Sequence, residues 1–298
     1  MIKIKCTILF FIFPLLILSQ VKTPFVTYDY QADSNYTRAL KSLKNKEEEG
    51  DTTAVVSIAE LSYKYRDWYT AIEYFEKLLI DNPIAENYFK LGVAAARKSL
   101  EVSRFFSVPY VIKARKSVLK AHELQPKKAV VLNLLIQLYA EIPTILGGSI
   151  ALAEQKTDAL TNIDSISGKM MQAYLFEVKN NFEASKFKYF EIFQDLNQQF
   201  SGHEQWIEEF DQDMVFELGR AASQYNIESE AGKAALDNYI KSFGFKDNYP
   251  LEWAYYYQSR IYYFNEQPKK TQALLQKALE INPNFREASE FINKINLE

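Results

Sequence analysis

The sequence predicts an all-α fold in which helical hairpins stack into an elongated solenoid. Three segments share one spacing: a small residue or Thr, a large apolar residue four positions later, Ala or Leu after three more, and Pro after five more. They lie at residues 71–83, 114–126 and 271–283. This recurrence is typical of repeats that bury their apolar faces only against their neighbours. The chain also has only 9 Gly and 9 Pro among 298 residues, which favours long helices over an all-β fold.

The N-terminus has the pattern of a secretory signal peptide. Two lysines precede an apolar run over residues 6–18. Because a membrane-spanning helix needs about 20 apolar residues and Pro14 interrupts this run, we expect a cleaved signal at residues 1–19 rather than an anchor. Cleavage removes Cys6, the single cysteine, so disulfides and thiol chemistry are excluded from the mature chain.

After the signal, the pattern divides the chain into an extension with a leading helix at residues 20–51 and a repeat array at residues 52–298. Residues 21–33 show no helical period, which predicts an extended lead-in, and Asp33 can cap a helix ending near Glu48. Hairpins are expected to start near residues 52, 85, 129, 166, 212 and 252, with a final helix at 285–295 over the end of the stack.

Two insertions interrupt the array. About ten extra residues, around 100–108, precede a return helix expected at 109–124, and a polar, acidic loop is expected at 197–211. Gly92 is expected to let its two helices approach closely, and Ser149 to cap the helix after the Gly-Gly turn.

This pattern resembles the tetratricopeptide repeat family, whose repeat carries Trp-x-x-Leu-Gly-x-x-Tyr, then Ala-x-x-x-Phe and a closing Pro. The likeness covers about residues 50–290. Residues 139–149, 218–222 and 231–239 also look like a set of exported bacterial tetratricopeptide proteins without an assigned activity. The resemblance implies a right-handed superhelix of about six hairpins with a C-terminal capping helix. It implies an interaction scaffold and brings no catalytic residues.

In such arrays the first helix of each hairpin lines the concave face, so its outward side is the default binding surface. Aromatic side chains there offer contact area, and Arg or amide side chains can hold a carboxylate or a peptide backbone. The alternative is that these side chains pack helix on helix. The candidate residues are Phe89, Arg97, Asn133, Gln137, Tyr174, Phe216, Arg220, Tyr256, Arg260 and Tyr263.

Residues 97–128 are unusually basic, with nine Lys or Arg against Glu101 and Glu123. Lys113, Lys116 and Lys120 share one helix face by their spacing. The stretch is either a solvated face whose charge is offset elsewhere or a site for an anionic partner: an acidic protein, a lipid headgroup or a glycan.

Nothing in the sequence indicates catalysis or a cofactor. His122 and His203 have no metal-ligand spacing, and no nucleophile-elbow or zinc-protease motif occurs. The acidic residues at 204–213 lack the alternation of a calcium loop and are expected to be a solvated loop. Acid–base chemistry would require Glu177 and one of those carboxylates to meet in a cleft.

We therefore expect a non-catalytic scaffold of the bacterial cell envelope that binds a protein or peptide on its concave face. The alternative is a periplasmic receptor for a small molecule or glycan with an aromatic-lined groove. A net charge of −3 argues against nucleic-acid binding. The mature chain is expected to be periplasmic or secreted, with no membrane span. Replacing Arg220 and Arg260 by Ala is expected to weaken binding without changing the melting temperature.

Overall fold

The computed structural model describes residues 23–295, and the expected signal peptide lies outside them. Within that range no helix combines the length and apolar character needed to cross a membrane. The helices are α1 Ser34–Glu48, α2 Thr53–Lys64, α3 Trp68–Asp81, α4 Ala85–Glu101, α5 Arg104–Leu124, α6 Ala129–Glu141, α7 Ile150–Thr161, α8 Ser165–Val178, α9 Phe182–Gln199, α10 His203–Glu209, α11 Gln212–Tyr225, α12 Ser229–Ser242, α13 Leu251–Phe264, α14 Pro268–Ile281 and α15 Arg286–Ile295.

The helices form six consecutive hairpins, which confirms the predicted all-α solenoid. The pairs are α2/α3, α4/α5, α6/α7, α8/α9, α11/α12 and α13/α14. Their first helices start within a residue of the positions expected from the repeat spacing. Helix α1 leads the stack, α10 lies between the fourth and fifth hairpins, and α15 follows the last hairpin.

Side-chain caps explain where many helices begin. Asp33 accepts hydrogen bonds from the main-chain N–H groups of Asn35 and Tyr36 at the start of α1. Ser149 accepts one from Leu152 at the start of α7, after a Gly147-Gly148 turn in which Gly147 has φ 95°. Both caps are the ones expected from the sequence. Each satisfies donors that a helix start leaves without an intrahelical partner.

The first, fourth and sixth hairpins turn in the same way. The residue before the N-cap has a positive φ: Arg66 at 61°, Asn180 at 58° and Glu266 at 57°. Asn adopts this left-handed conformation readily, whereas for Arg and Glu it is uncommon and costs backbone energy. The conformation at Arg66 is therefore held by its surroundings, which are described below.

Close helix approach depends on glycine in the second hairpin. A Cβ added at Gly92 in α4 would lie 2.5 Å from Cγ2 of Val118 in α5. The packing role expected for Gly92 follows from this distance, because a methyl group there would displace the opposite helix.

Both predicted insertions differ from expectation. Residues 197–211 contain α10, which buries Trp206 and Ile207 and is therefore part of the core rather than a solvated loop. In the second hairpin α5 begins at Arg104, so Pro109 lies inside the helix rather than at its start. A proline this close to a helix start removes one main-chain hydrogen bond near an end that already lacks several.

Candidate functional site

Residues 23–30 lie as an extended strap along the inner side of the array, the side formed by the first helices of the hairpins. The strap has no helical structure and contacts both ends of the stack. The Oγ1 atom of Thr23 lies 2.8 Å from the hydroxyl of Tyr257 in α13. Phe25 lies against Arg97 in α4, and Tyr28 against Tyr65 after α2. The lead-in expected to be extended is extended, and it occupies the inner groove.

The main chain of Val26 is bound through both its N–H and its carbonyl group. Its N–H donates a 2.8 Å hydrogen bond to the carbonyl oxygen of Asn248. Its own carbonyl oxygen accepts a 3.2 Å hydrogen bond from Nη1 of Arg66. Contacts of this kind recognise an extended backbone whatever its side chains, which is how many peptide-binding domains gain affinity.

Phe25 fills a slot between a cation and an aromatic ring. The guanidinium carbon of Arg97 lies 3.4 Å from the centre of its ring, and the ring of Tyr249 stacks on it at 5.6 Å and 30°. Tyr249 in turn stacks on Phe216 of α11 at 4.3 Å and 11°. The slot therefore selects an aromatic side chain, because both of its walls interact favourably with a π face.

Residues 243–250, between α12 and α13, form a closing loop that meets the first hairpin across the groove. Arg66 donates from Nη2 to the main-chain carbonyls of Phe245, at 3.1 Å, and Asp247, at 2.7 Å. With the bond to Val26, one guanidinium joins the first hairpin, the strap and the closing loop. These bonds stabilise the left-handed backbone at Arg66, which Asn180 and Glu266 share at the equivalent turns of other hairpins.

An aromatic cluster closes the same junction at its outer end. The ring of Phe245 lies 4.7 Å from Tyr28, edge to face, and 5.3 Å from Tyr65. Tyr65 lies 5.0 Å from Tyr36, whose hydroxyl donates a 2.6 Å hydrogen bond to Asp67. Burial and this bond to Asp67 raise the pKa of Tyr36, so its hydroxyl stays protonated and keeps donating.

Asp213 carries a negative charge close to the strap. Its Oδ2 atom accepts a 2.6 Å hydrogen bond from Nδ2 of Asn248, the residue whose carbonyl holds Val26. Burial raises the pKa of Asp213, against the lowering effects of the Asn248 bond and the charge of Arg97. Asp213 thus lies within electrostatic range of the Arg97 guanidinium that contacts the strap.

A second charged cluster lies deeper in the array and holds helices together. Arg220 of α11 is buried and bonds Glu217 at 2.6 Å, Glu177 of α8 at 3.2 Å and the Tyr189 hydroxyl of α9 at 2.9 Å. Burial disfavours its charge, but the two carboxylates outweigh that effect and hold the pKa of Arg220 above its usual value. Glu177 is thereby engaged in an ion pair.

The structure places the ten candidate residues in four different settings. Arg97 contacts the strap through the ring of Phe25. Phe216 is fully buried and Arg220 is 8% exposed. Both side chains were expected on an open concave face, and neither lies there. The physical reason is that the closing loop covers Phe216 with Tyr249, and that ion pairing draws Arg220 into the core.

The last three candidates lie near the capping end. Tyr256 and Tyr263 contact Phe291 of α15, at ring distances of 6.1 and 5.2 Å, and Arg260 lies over the Tyr256 ring at 5.9 Å. These tyrosines take part in covering the end of the stack. Their role in binding stays a prediction.

The remaining four candidates are partly buried on the first helices of the middle hairpins. Phe89 packs against the first core cluster, and Tyr174 donates a hydrogen bond to Glu141. Asn133 is partly exposed, but its Oδ1 atom is buried and has no hydrogen-bond partner among residues 23–295. Gln137 lies one turn further along α6. Their role in binding also stays a prediction.

Several groove residues escaped the sequence analysis: Arg66, Phe245, Asn248, Tyr249 and the strap itself. A usable signal was the aromatic content of the two non-helical segments, with Phe25, Tyr28 and Tyr30 in one and Phe243, Phe245 and Tyr249 in the other. Aromatic side chains in aperiodic segments need a surface to cover them. Here each segment covers the other.

Comparison with known proteins identifies the fold. The sequence matches no protein-family model and no curated protein. A tetratricopeptide repeat protein from Parabacteroides merdae has a similar structure, with a TM-score of 0.52 and 11% identity over 89% of this chain and 94% of that one. The chain has the tetratricopeptide-repeat fold.

A second solved structure, the APC/C hetero-tetramer Cut9–Hcn1, is similar to the same extent. Its TM-score is 0.56 and its identity 14%, over 86% of this chain and 45% of that chain. The family resemblance stated from the repeat phrases is therefore confirmed at the level of the fold. The tetratricopeptide arrangement also explains why the first helices form the inner side that the strap occupies.

Proposed function

We propose that this chain is a non-catalytic scaffold that binds an extended segment of a protein partner in its inner groove. The observation that supports it is the double main-chain bonding of Val26, to Asn248 and Arg66, beside the aromatic slot filled by Phe25. In the structure, the strap of the chain itself occupies the site proposed for the partner's segment.

The strap acts in this proposal as a competitor of the partner. A tethered segment has an effective concentration of the order of millimolar in its own groove. A partner segment with the same contacts must therefore bind more tightly than the strap, or bind when the strap is released, and its apparent affinity falls with the fraction of open grooves.

The alternative, a glycan or small-molecule receptor, has less support. Such a receptor needs a concave pocket with aromatic faces open to the ligand. The aromatic faces of this groove, Tyr249 and Tyr65, are covered by Phe25, Tyr28 and Phe245. Hydrogen bonds to both main-chain groups of Val26 favour a peptide over a compact molecule.

A peptide-display selection tests the proposal. The target is the full chain with Phe25→Ala and Tyr28→Ala, which loosens the strap without touching the groove walls. We expect the selected peptides to share an aromatic residue followed by an aliphatic one, and to lose binding when Arg97→Ala is added. Selection of no common pattern, with tight binding of a glycan or metabolite instead, would contradict it.

We further propose that the chain works in the bacterial cell envelope after export. The support is the basic start and apolar run of residues 1–19 and the absence of cysteine after residue 6. Fractionation of expressing cells, with N-terminal sequencing of the mature chain, tests this. Recovery from the cytoplasm with residues 1–19 intact would contradict it.

A further inference from the structure

An exposed apolar patch lies where α4 and α5 meet, just beyond Arg97 at the C-terminal end of α4. Five large apolar side chains within residues 100–112 are exposed: Leu100 at 65%, Phe105 at 92%, Phe106 at 72%, and Val108 and Ile112 at 37% each. Single exposed apolar side chains are ordinary on a soluble protein, but a contiguous group of them marks a protein or membrane interaction site. We call residues 100–112 the tip.

Basic side chains border this patch. Arg104 lies beside Phe105, and Lys116 lies one turn beyond Ile112 on the same face of α5. Among residues 23–295 neither has a carboxylate within 4 Å, whereas Lys98, Lys113 and Lys120 are paired with Glu101, Glu76 and Glu123. The tip thus has an apolar centre with unpaired positive charge on either side.

We infer that the tip docks on the surface of a bilayer containing anionic lipids. Its apolar centre enters the boundary between headgroups and acyl chains, and Arg104 and Lys116 remain at the phosphates. Phe105, Val108 and Ile112 share one face of α5 by their spacing, so they can enter the boundary together. Long basic side chains reach the headgroups while their stems stay in the apolar layer.

A membrane fits the tip better than a protein partner does. The ring of Phe105 is 92% exposed, and Arg104 and Lys116 border the patch. An anionic bilayer offers an apolar layer bordered by phosphates, which matches an apolar centre with basic edges.

Vesicle flotation of the full chain tests this inference. One set of vesicles is phosphatidylcholine alone, and the other contains about 30% phosphatidylglycerol. We expect binding to the anionic set only, weaker at 0.5 M salt. The Phe105→Ser, Phe106→Ser double variant should lose at least about tenfold in affinity. The control Phe187→Ser removes a ring that is 62% exposed on α9 and should change nothing.

Two further variants keep the test decisive if the Phe105→Ser, Phe106→Ser double variant does not fold. Phe105→Trp places a fluorophore at the tip, and its emission should shift to the blue with anionic vesicles only. Arg104→Gln with Lys116→Gln should weaken binding at least about tenfold while the blue shift at saturation persists. Equal binding by the Phe105, Phe106 and Phe187 variants, or no shift, overturns the inference. A dimer of the wild-type chain that dissociates in the Phe105→Ser, Phe106→Ser double variant would also overturn the inference, because the tip would then be a self-association surface.

Discussion

Arg66 and Asp247 stand 181 positions apart in the chain, and the guanidinium of the first donates a 2.7 Å hydrogen bond to the main-chain carbonyl of the second. The same side chain bonds Val26 and Phe245. A solenoid normally contacts only adjacent repeats. Arg66 instead joins the first hairpin to the closing loop that precedes the sixth hairpin, and the strap lies between them.

Replacing Arg66 with Lys should loosen this junction without unfolding the array. Lysine keeps the charge but presents a compact ammonium instead of a planar fork, so it cannot serve three separate carbonyls equally. A hydrogen bond involving a charged group contributes about 1.5–3 kcal/mol, so amide exchange in the strap and closing loop should accelerate roughly 10- to 100-fold. Exchange mass spectrometry measures this peptide by peptide.

The matched control is Arg38→Lys, on the exposed face of α1. It should leave exchange unchanged throughout. Equal protection of the strap in the Arg66 variant and in the wild type would mean that the junction does not depend on Arg66.

Arg220→Ala should strongly destabilise the chain. It removes one partner of a buried ion pair and leaves the Glu177 and Glu217 carboxylates without their cation, which costs about 3–5 kcal/mol. Adding Glu177→Gln should recover part of the loss, because the uncompensated charge is then smaller. Thermal unfolding followed by circular dichroism measures both.

The same experiment separates Arg220 from Arg260, which the sequence analysis treated alike. Arg260 is partly exposed and lies over the Tyr256 ring, so Arg260→Ala should change stability by less than about 1 kcal/mol. The earlier expectation that the paired substitution leaves the melting temperature unchanged does not fit the burial of Arg220. Similar losses from both single variants would show that burial is not the cause.

Gly92→Ala should lower stability although alanine favours helices. The added methyl group would lie 2.5 Å from Val118 Cγ2 and 3.3 Å from its nitrogen, so α5 must shift. Overpacking of this kind costs about 1–3 kcal/mol, against about 1 kcal/mol gained in helix propensity. Gly202→Ala is the control, because no atom lies within 4 Å of its Cβ position. A variant at Gly92 as stable as the one at Gly202 would contradict the close approach.

Asp213→Asn should raise stability at neutral pH and have little effect in acid. The pKa of Asp213 is raised above its ordinary 3.8 by burial, so the folded chain holds this proton to higher pH than the unfolded chain does. The ionised carboxylate therefore costs stability increasingly as pH rises through the folded pKa, and the amide avoids that cost. Melting temperatures at pH 4 and pH 7.5 should show a variant-minus-wild-type difference that grows with pH. A difference that shrinks or turns negative would mean that the charge stabilises the groove.

The sequence was sufficient to predict the hairpins, but it did not predict the contacts between the strap and the closing loop. Positions such as Ala71, Phe75 and Leu78 repeat because every hairpin faces the same neighbours, so a local pattern predicts their burial. The strap and the closing loop have no period, and their contacts join segments more than 200 residues apart. No local sequence pattern predicts that these two non-helical segments contact each other.

Phe216 shows the same limit within a helix. Its place on α11 is where the concave-face pattern puts it, and its burial comes from Tyr249, which belongs to a loop 33 positions later. Arg66 had the appearance of an ordinary turn residue, because nothing in Arg-Asp indicates a left-handed backbone. Arg66 became a functional candidate, and Phe216 was found to be buried, only once the two ends of the array were seen to meet.

The most direct test of the account is the binding of a labelled peptide of residues 23–32 to the full chain carrying Phe25→Ala and Tyr28→Ala. Fluorescence anisotropy should show saturable binding at least about tenfold tighter than to the wild-type chain, whose own strap competes. The matched variant with Arg97→Ala added should lose that binding, and a scrambled peptide should not bind. If exchange shows the strap released and the peptide still binds no better than its scrambled form, the groove is not a peptide site.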